Sequence, residues 1–462
     1  MDADFEIALA AVLARELPGY SELLHCDKLT AGASQETYRV VCTTADGERR
    51  LALRRSVPTL QGDSSVGTID LATEAKLLQM AVAGGIPAPE IIYVLGESDE
   101  LGAGFFMQWL DGETLGSRIV SADDLAVLRP QLAYECGQVL ARVHALDYRT
   151  AGLAEVLPAI EPKELVEETW NYYRELNVPV PMIDYTHRWL LDNLPQQPRQ
   201  CLVHGDFRNG NLMVTPQGIN AVLDWELAHL GDPVRDLGWL CVNSWRFGVR
   251  QLPVGGFGQV SDLLAGYNSV ASVPVQESEL HFWEVFGSFW WSMATLRMAQ
   301  GWRTGETPSL ERPVIGRRST EAQMDCVNLL FPGPVVLPTP QAELSQGTRL
   351  PMPAELLESV RGFLRQEVAG SAESHTGFMA RVAANALGIV QREVLYGPDL
   401  DAAEAARLSE LLGSAAELDE LRWELVRRLR DGMPLEDSRL QAHMRQTVAG
   451  QLAIDQPHYS AL

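Results

Sequence analysis

At 462 residues the chain exceeds one ordinary hydrophobic core and predicts two or three domains. Its 46% hydrophobic and 21% charged residues are a globular composition, which excludes a disordered chain. Sixty-one acidic against 37 basic residues, a formal net charge of −24, exclude nucleic acid and anionic membrane as general partners, so an anionic ligand needs a local basic pocket.

The N-terminal stretch MDADFEIALAAVLARELPGY is acidic and amphipathic and lacks the basic start and apolar block of a signal peptide. No apolar run reaches membrane-spanning length. The six cysteines (Cys26, Cys42, Cys136, Cys201, Cys241 and Cys326) are scattered without a C-x-x-C pair, which predicts reduced thiols rather than disulfides or zinc ligands. A soluble, cytoplasmic protein is expected.

Residues 29–56 alternate as strands do, and the turn Ala45-Asp46-Gly47 between two alternating runs predicts a hairpin. Residues 69–85 place Leu71, Ala75, Leu78 and Val82 at helical spacing and stop at a glycine pair. PEIIYVLGE and GFFMQWL read as two further strands. After Gly112 the pattern is mainly helical, notably over 122–147, until two strands interrupt it at 201–226, and helices resume to about residue 330. This order predicts an α+β chain with a small β-rich lobe, a larger helical lobe, and a ligand cleft between them. FPGPVVLPTPQ (331–341) holds four prolines and no periodicity, a semi-rigid linker. Beyond it, helical patterns at 354–370, 374–396, 401–413, 418–431 and 436–453 predict an all-helical bundle. The expected domains are 1–110, 111–330, a linker at 331–353, and 354–462.

Two motifs carry chemistry. LVHGDFRNGNLMV (202–214) sets Asp206 and Asn211 five positions apart just past an apolar strand, and AVLDWELAHLGD (221–232) returns to Asp224. Phosphoryl transfer needs magnesium, donors for the phosphates and a carboxylate that orients the attacking hydroxyl. A protein-kinase catalytic loop supplies its aspartate and metal-binding asparagine at this same spacing. Two oxygen donors from neighbouring strand ends suit one hard cation.

On these paired motifs, H-G-D-x-x-x-x-N followed by L-D-W-E, residues 20–330 resemble the aminoglycoside phosphotransferase/choline kinase superfamily. The texture of LDWELAHLGDPVRDLGWL is similar to the bacterial branch related to kinase domains associated with acyl-CoA dehydrogenases. The resemblance implies a protein-kinase-like two-lobed fold followed by an extra C-terminal helical domain, and an ATP- and Mg2+-dependent kinase acting on a small-molecule hydroxyl. It implies Asp206 as the catalytic, hydroxyl-positioning carboxylate and Asn211 and Asp224 as magnesium ligands. His204 and Asp236 would support the loop, Asp232 would cap a helix entry, and Glu226 would be either a further acidic contact or a solvated strand end.

On the nucleotide side, AGASQETYRV is similar to the family's phosphate-covering hairpin, with Gly32 and Ser34 near the phosphates. Arg54 falls where the kinase pattern has lysine, with Arg55 on the opposite strand face. Arginine clamps phosphate bidentately but is not a neutral exchange for lysine. Glu74 would pair with Arg54. Met107, Gln108 and Leu110 would line the adenine at a hinge. The tryptophan-rich stretch 281–305 reads as core, and Arg312, Arg317 and Arg318 form a basic cluster, either a solvated loop or the seat of a coenzyme A phosphate. Three functions follow: a hydroxyacyl-CoA-type kinase, an aminoglycoside or amino-alcohol kinase, or a catalytically inert nucleotide-binding module. A small hydroxylated molecule is the expected partner, with homo-oligomerisation open.

Overall fold

The structure, a computed structural model, describes residues 3–29, 35–56, 68–335, 351–371 and 374–460. The expected positions Gly32 and Ser34, and linker residues 336–350, lie outside the described residues. The chain forms two compact units: one holds residues 1–161, 197–241 and 245–280, the other 162–196, 242–244 and 281–462.

The first unit opens with the helix Ala3–Glu16 and then β1 (Tyr20–Lys28), β2 (Glu36–Thr44) and β3 (Gly47–Arg55). After the helix Leu71–Ala83 come β4 (Ile91–Val94) and β5 (Gly104–Gln108), giving a five-stranded antiparallel sheet in the order β1-β2-β3-β5-β4. The predicted hairpin is β2–β3, in register from Thr44↔Gly47 to Glu36↔Arg55. Leu51 and Leu53 of β3 face a core built with Leu9, Val12 and Leu13 of the first helix. The opposite face carries Ala52 and Arg54. Asp70 caps the helix Leu71–Ala83 by accepting the Thr73 N–H at 2.7 Å, and the helix ends at Gly84, the first of the glycine pair.

Strand β1 goes beyond the predicted strands. Two register shifts, between Tyr20 and Glu22 and between Leu23 and His25, break the alternation by which a strand is read. Two short strand pairs follow the helix Arg129–His144: β6 (Cys201–Val203) with β9 (His229–Gly231), and β7 (Leu212–Thr215) with β8 (Gly218–Val222). Helices Val234–Cys241 and Val260–Asn268 complete the unit.

The second unit is all helical. Buried in it, Asp184 accepts from Trp170 Nε1 at 3.1 Å, Tyr173 Oη at 2.9 Å and Arg430 Nε at 2.8 Å. Phe282, Trp283, Phe286 and Phe289 of the helix Leu280–Arg303 are buried, as a core stripe should be, while Trp302 is exposed. Two expectations need correction. The patterns at 374–396 and 401–413 are one helix, Ser374–Leu412, running through Pro398. Burial of Ala384, Ile389, Leu408 and Leu412 on both sides outweighs the hydrogen bond that proline removes. Arg312 lies in the helix Glu311–Gly316 rather than in a loop, while Arg317 and Arg318 make the turn to the helix Ser319–Leu330. Among the described residues no helix is long and apolar enough to cross a membrane, and all six cysteines are free thiols.

Candidate active site

The loop after β6 is held from beneath. Asp236, in the first turn of the helix Val234–Cys241 and fully buried, accepts the backbone N–H of His204 at 2.7 Å and of Gly205 at 2.9 Å. His144 Nε2 lies 3.1 Å from the same carboxylate, and its Nδ1 lies 3.0 Å from Tyr267 Oη. Burial alone would raise the Asp236 pKa; the His144 contact and the nearby His204 and Arg235 hold it well below the usual carboxylate range instead. Gly205 has φ +84°, and a Cβ there would stand 2.3 Å from the Leu227 carbonyl oxygen, so only glycine turns the chain at this point.

His204 is fully buried, with Nε2 3.1 Å from the Leu223 carbonyl, while Asp206 N–H donates to its Nδ1 at 3.2 Å. That pattern fixes a neutral tautomer, and burial pushes its pKa down. The ring therefore ties the 204–206 turn to the end of β8. Asp232 accepts the Val234 N–H at 3.0 Å, a helix-entry bond.

Asp206, Asn211 and Asp224 are brought together. Asn211 Nδ2 donates to Asp206 Oδ2 at 2.6 Å and to the Asp206 carbonyl at 2.9 Å, leaving the amide oxygen as a ligand. Asp206 Oδ1 accepts from Trp239 Nε1 and Arg208 Nε, each at 2.8 Å, and the Arg208 guanidinium lies 4.4 Å from the centre of the Trp245 ring. The β7–β8 register sets Leu212 against Val222, and Leu223 N–H donates to the Asn211 carbonyl at 2.8 Å, so Asp224 follows directly beside Asn211. Asp224 has φ +64°, a left-handed conformation rare outside glycine.

Across from this loop, Arg54 Nη2 donates to Asp224 Oδ1 at 2.7 Å and lies 3.3 Å from Glu226 Oε2, and its Nε lies 3.2 Å from Glu74 Oε2 and 2.8 Å from Gln35 Oε1. Burial pulls the Arg54 pKa down, but Glu74 and Asp224 outweigh it and the net shift is upward. Glu74 is buried; the loss of water pushes its pKa up to about 7, with Arg54 acting in the opposite direction. Arg55 points to the other face, onto Glu36 at 3.0 Å and the Phe5 ring. Met107 pairs with Ala52 and so shares the face of Arg54. Gln108 spends its N–H on the Glu90 carbonyl at 2.8 Å, and with Arg50 and Trp109 borders a cavity of about 340 Å3 that none of Asp206, Asn211 and Asp224 lines. Leu110 is half-buried just beyond.

An amide oxygen and a carboxylate are hard donors that suit a divalent cation keeping water and phosphate oxygens as its other ligands, with Arg54 and the cation sharing the Asp224 carboxylate. Asn211 and Asp224 would hold the cation. Four contributors are absent from the sequence reading. Arg208 and Trp239 sit inside the quoted motifs, but their bonds to Asp206 depend on tertiary placement. His144 shows only as a lone histidine ending an apolar helix face, and Gln35 gives no local signal.

Two arginines of the basic cluster are ion-paired within their own unit. Arg317 Nε lies 2.6 Å from Asp455 and its Nη2 pairs with Glu393, while Arg318 lies 3.1 Å from Glu321.

Comparison with known proteins gives a consistent result. A family model described as the phosphotransferase enzyme family (APH) matches residues 25–271, just over half of the chain. A second, described as a domain of unknown function (DUF6285), matches residues 370–459. Mouse acyl-CoA dehydrogenase family member 10 is 29% identical over 240 residues, 51% of this chain and 21% of that protein. Rat acyl-CoA dehydrogenase family member 11 is 26% identical over 257 residues, 54% of this chain and 32% of that protein. The chain thus spans about a fifth to a third of the length of these relatives. A solved structure from Ralstonia eutropha, described as a candidate aminoglycoside phosphotransferase, shares the fold with a TM-score of 0.56 at 20% identity, covering 70% of this chain and 96% of that one.

Proposed function

Because the chain belongs to the APH phosphotransferase enzyme family, we propose that it transfers the γ-phosphoryl group of ATP to a hydroxyl of a small molecule in a magnesium-dependent reaction. The observation that supports this reading is that the 2.6 Å bond joins the Asn211 and Asp206 side chains while the Leu223–Asn211 backbone bond brings the chain at Asp224 next to Asn211.

In this reading Asp206 receives the acceptor hydroxyl. Trp239 and Arg208 on one carboxylate oxygen and Asn211 on the other fix its rotation, so orientation is built in before the substrate arrives. The bond from the acceptor oxygen to the γ-phosphorus forms as the bridge to the β-phosphate breaks; ADP leaves, and the hydroxyl proton passes to Asp206. Magnesium, held by Asn211 and Asp224, would offset phosphate charge. Arg54 balances Asp224, Glu226 and Glu74, and in this reading it is the cation that would meet the phosphates. Asp236, His204 and His144 position the loop rather than touch substrate.

For the acceptor, the ion-paired state of Arg317 and Arg318 weakens the arginine cluster as the seat of a coenzyme A phosphate. An aminoglycoside or amino-alcohol, whose positive charge suits a chain of net charge −24, is the better-supported acceptor. Magnesium-dependent ATP turnover against a panel of amino-alcohols, aminoglycosides and hydroxyacyl-CoA thioesters decides it. The expected outcome is transfer to a cationic acceptor, abolished in Asp206→Ala with ATP binding retained. ATP binding without transfer to any acceptor would leave an inert nucleotide-binding module.

A further inference from the structure

The second unit contains a cavity of about 310 Å3 that the phosphotransferase reading does not use. It opens among the segment Pro179–Met182 and the helices Ser319–Leu330, Ser374–Leu412, Leu418–Arg430 and Ser438–Asp455. Its volume is at the lower edge of small-molecule sites. Val180, Met182, Leu296, Leu400 and Val448 supply apolar wall; Arg407, Thr447 and Gln451 supply polar groups.

All four carboxylates of this wall are taken by two of its arginines: Arg317 pairs with Glu393 and Asp455, and Arg422 with Asp401 and Glu404. Arg422 is held by both oxygens of buried Glu404, at 3.1 and 2.7 Å, which consumes that carboxylate. Arg407, one helical turn along from Glu404, has no carboxylate partner among the described residues. One Nη reaches Thr447 Oγ1 at 3.2 Å, and Nε is buried without a hydrogen bond. Beside it stands His443, 3% exposed, with neither ring nitrogen partnered. Burial first, and then Arg407 and Arg422, push the His443 pKa down to about 4, so the imidazole adds no second positive charge beside Arg407. Arg407 is therefore a half-buried guanidinium with a buried unused donor and no ion-pair partner of its own among the described residues, facing a cavity that also has an apolar side.

We propose that this cavity is a binding site for a small amphipathic carboxylate, its head group paired with Arg407 and its short apolar body against Met182, Leu296 and Leu400. The site is separate from the phosphotransfer loop, since every lining residue belongs to the second unit.

The test uses the full chain in phosphate-free buffer, with butanoate, hexanoate, octanoate and inorganic phosphate as probes in titration calorimetry. Saturable binding of at least one carboxylate is expected, weakened about tenfold or more in Arg407→Gln. The His443 ring protons, followed by NMR, should titrate at higher pH in the carboxylate-bound protein, because the anion cancels the field of Arg407. Leu400→Trp, which fills the cavity and leaves the charges in place, should abolish binding and covers the case in which Arg407→Gln fails to fold. Absence of saturable carboxylate binding, equal affinity in Arg407→Gln, or affinity surviving Leu400→Trp would overturn the proposal, and binding of phosphate alone would overturn the ligand class.

Discussion

The phosphotransfer loop and the helical region around Arg407 both bury charge and treat it in opposite ways. Asp236 is fully buried yet receives two backbone N–H bonds and a histidine contact. Arg407 and His443 have buried nitrogens with nothing to meet. A buried charge whose hydrogen bonds are complete fixes a geometry, whereas one left incomplete stores a preference for a ligand. The first region is preorganised; the second is poised.

That contrast is broken most severely at its catalytic end. Asp206→Asn should lower kcat by about 10²- to 10⁴-fold while ATP affinity, read by calorimetry, stays near wild type; an equal loss of both would mean the residue only holds the loop. Asp236→Ala should destabilise the fold by about 3–5 kcal/mol in urea unfolding, because two backbone donors and a histidine lose their acceptor together.

Glu74 gives a pH-dependent test. Its folded-state pKa of about 7 lies above its ordinary value of 4.5. The folded state therefore binds the proton more tightly, and the stabilisation is full below pH 4.5 and lost as pH rises through about 7. Above that, ionised Glu74 is a fixed penalty of about 3 kcal/mol before relaxation. Glu74→Gln should thus gain on wild type between pH 5 and pH 8; a stability difference that does not change with pH would contradict this account. The smallest effect is expected on the poised side. Arg407→Met, measured without carboxylate, should be neutral or stabilising by about 1 kcal/mol, since an unpaired half-buried charge is removed and its apolar stem kept. Clear destabilisation would show that Arg407 is already satisfied.

Much of the site was legible because its grammar is local. The five-residue step from Asp206 to Asn211 and the return to Asp224 lie within residues 206–224, and a short hairpin must bring them together. The Asp-Gly turn of β2–β3 and the glycine pair that ends the helix Leu71–Ala83 were readable for the same reason. Strand β1 was not, since its register shifts spoil the alternation, and β9 is three residues long. Trp239, Arg208 and His144 act on the loop through contacts spanning 33, 2 and 92 positions, and even the short one depends on a side-chain direction that spacing does not encode. The patterns at 374–396 and 401–413 read as separate helices, whereas side-chain burial on both flanks carries one helix through Pro398.

The left-handed backbone at Asp224 has a practical consequence for dissecting the site. Only glycine, asparagine and aspartate adopt that conformation with ease, so alanine there would mix two losses, the carboxylate and the turn. The substitutions Asp224→Asn and Asp224→Gly would keep the chain path and remove the anion alone. Position 224 is therefore one where the customary alanine scan misleads and the polar isostere is the cleaner instrument.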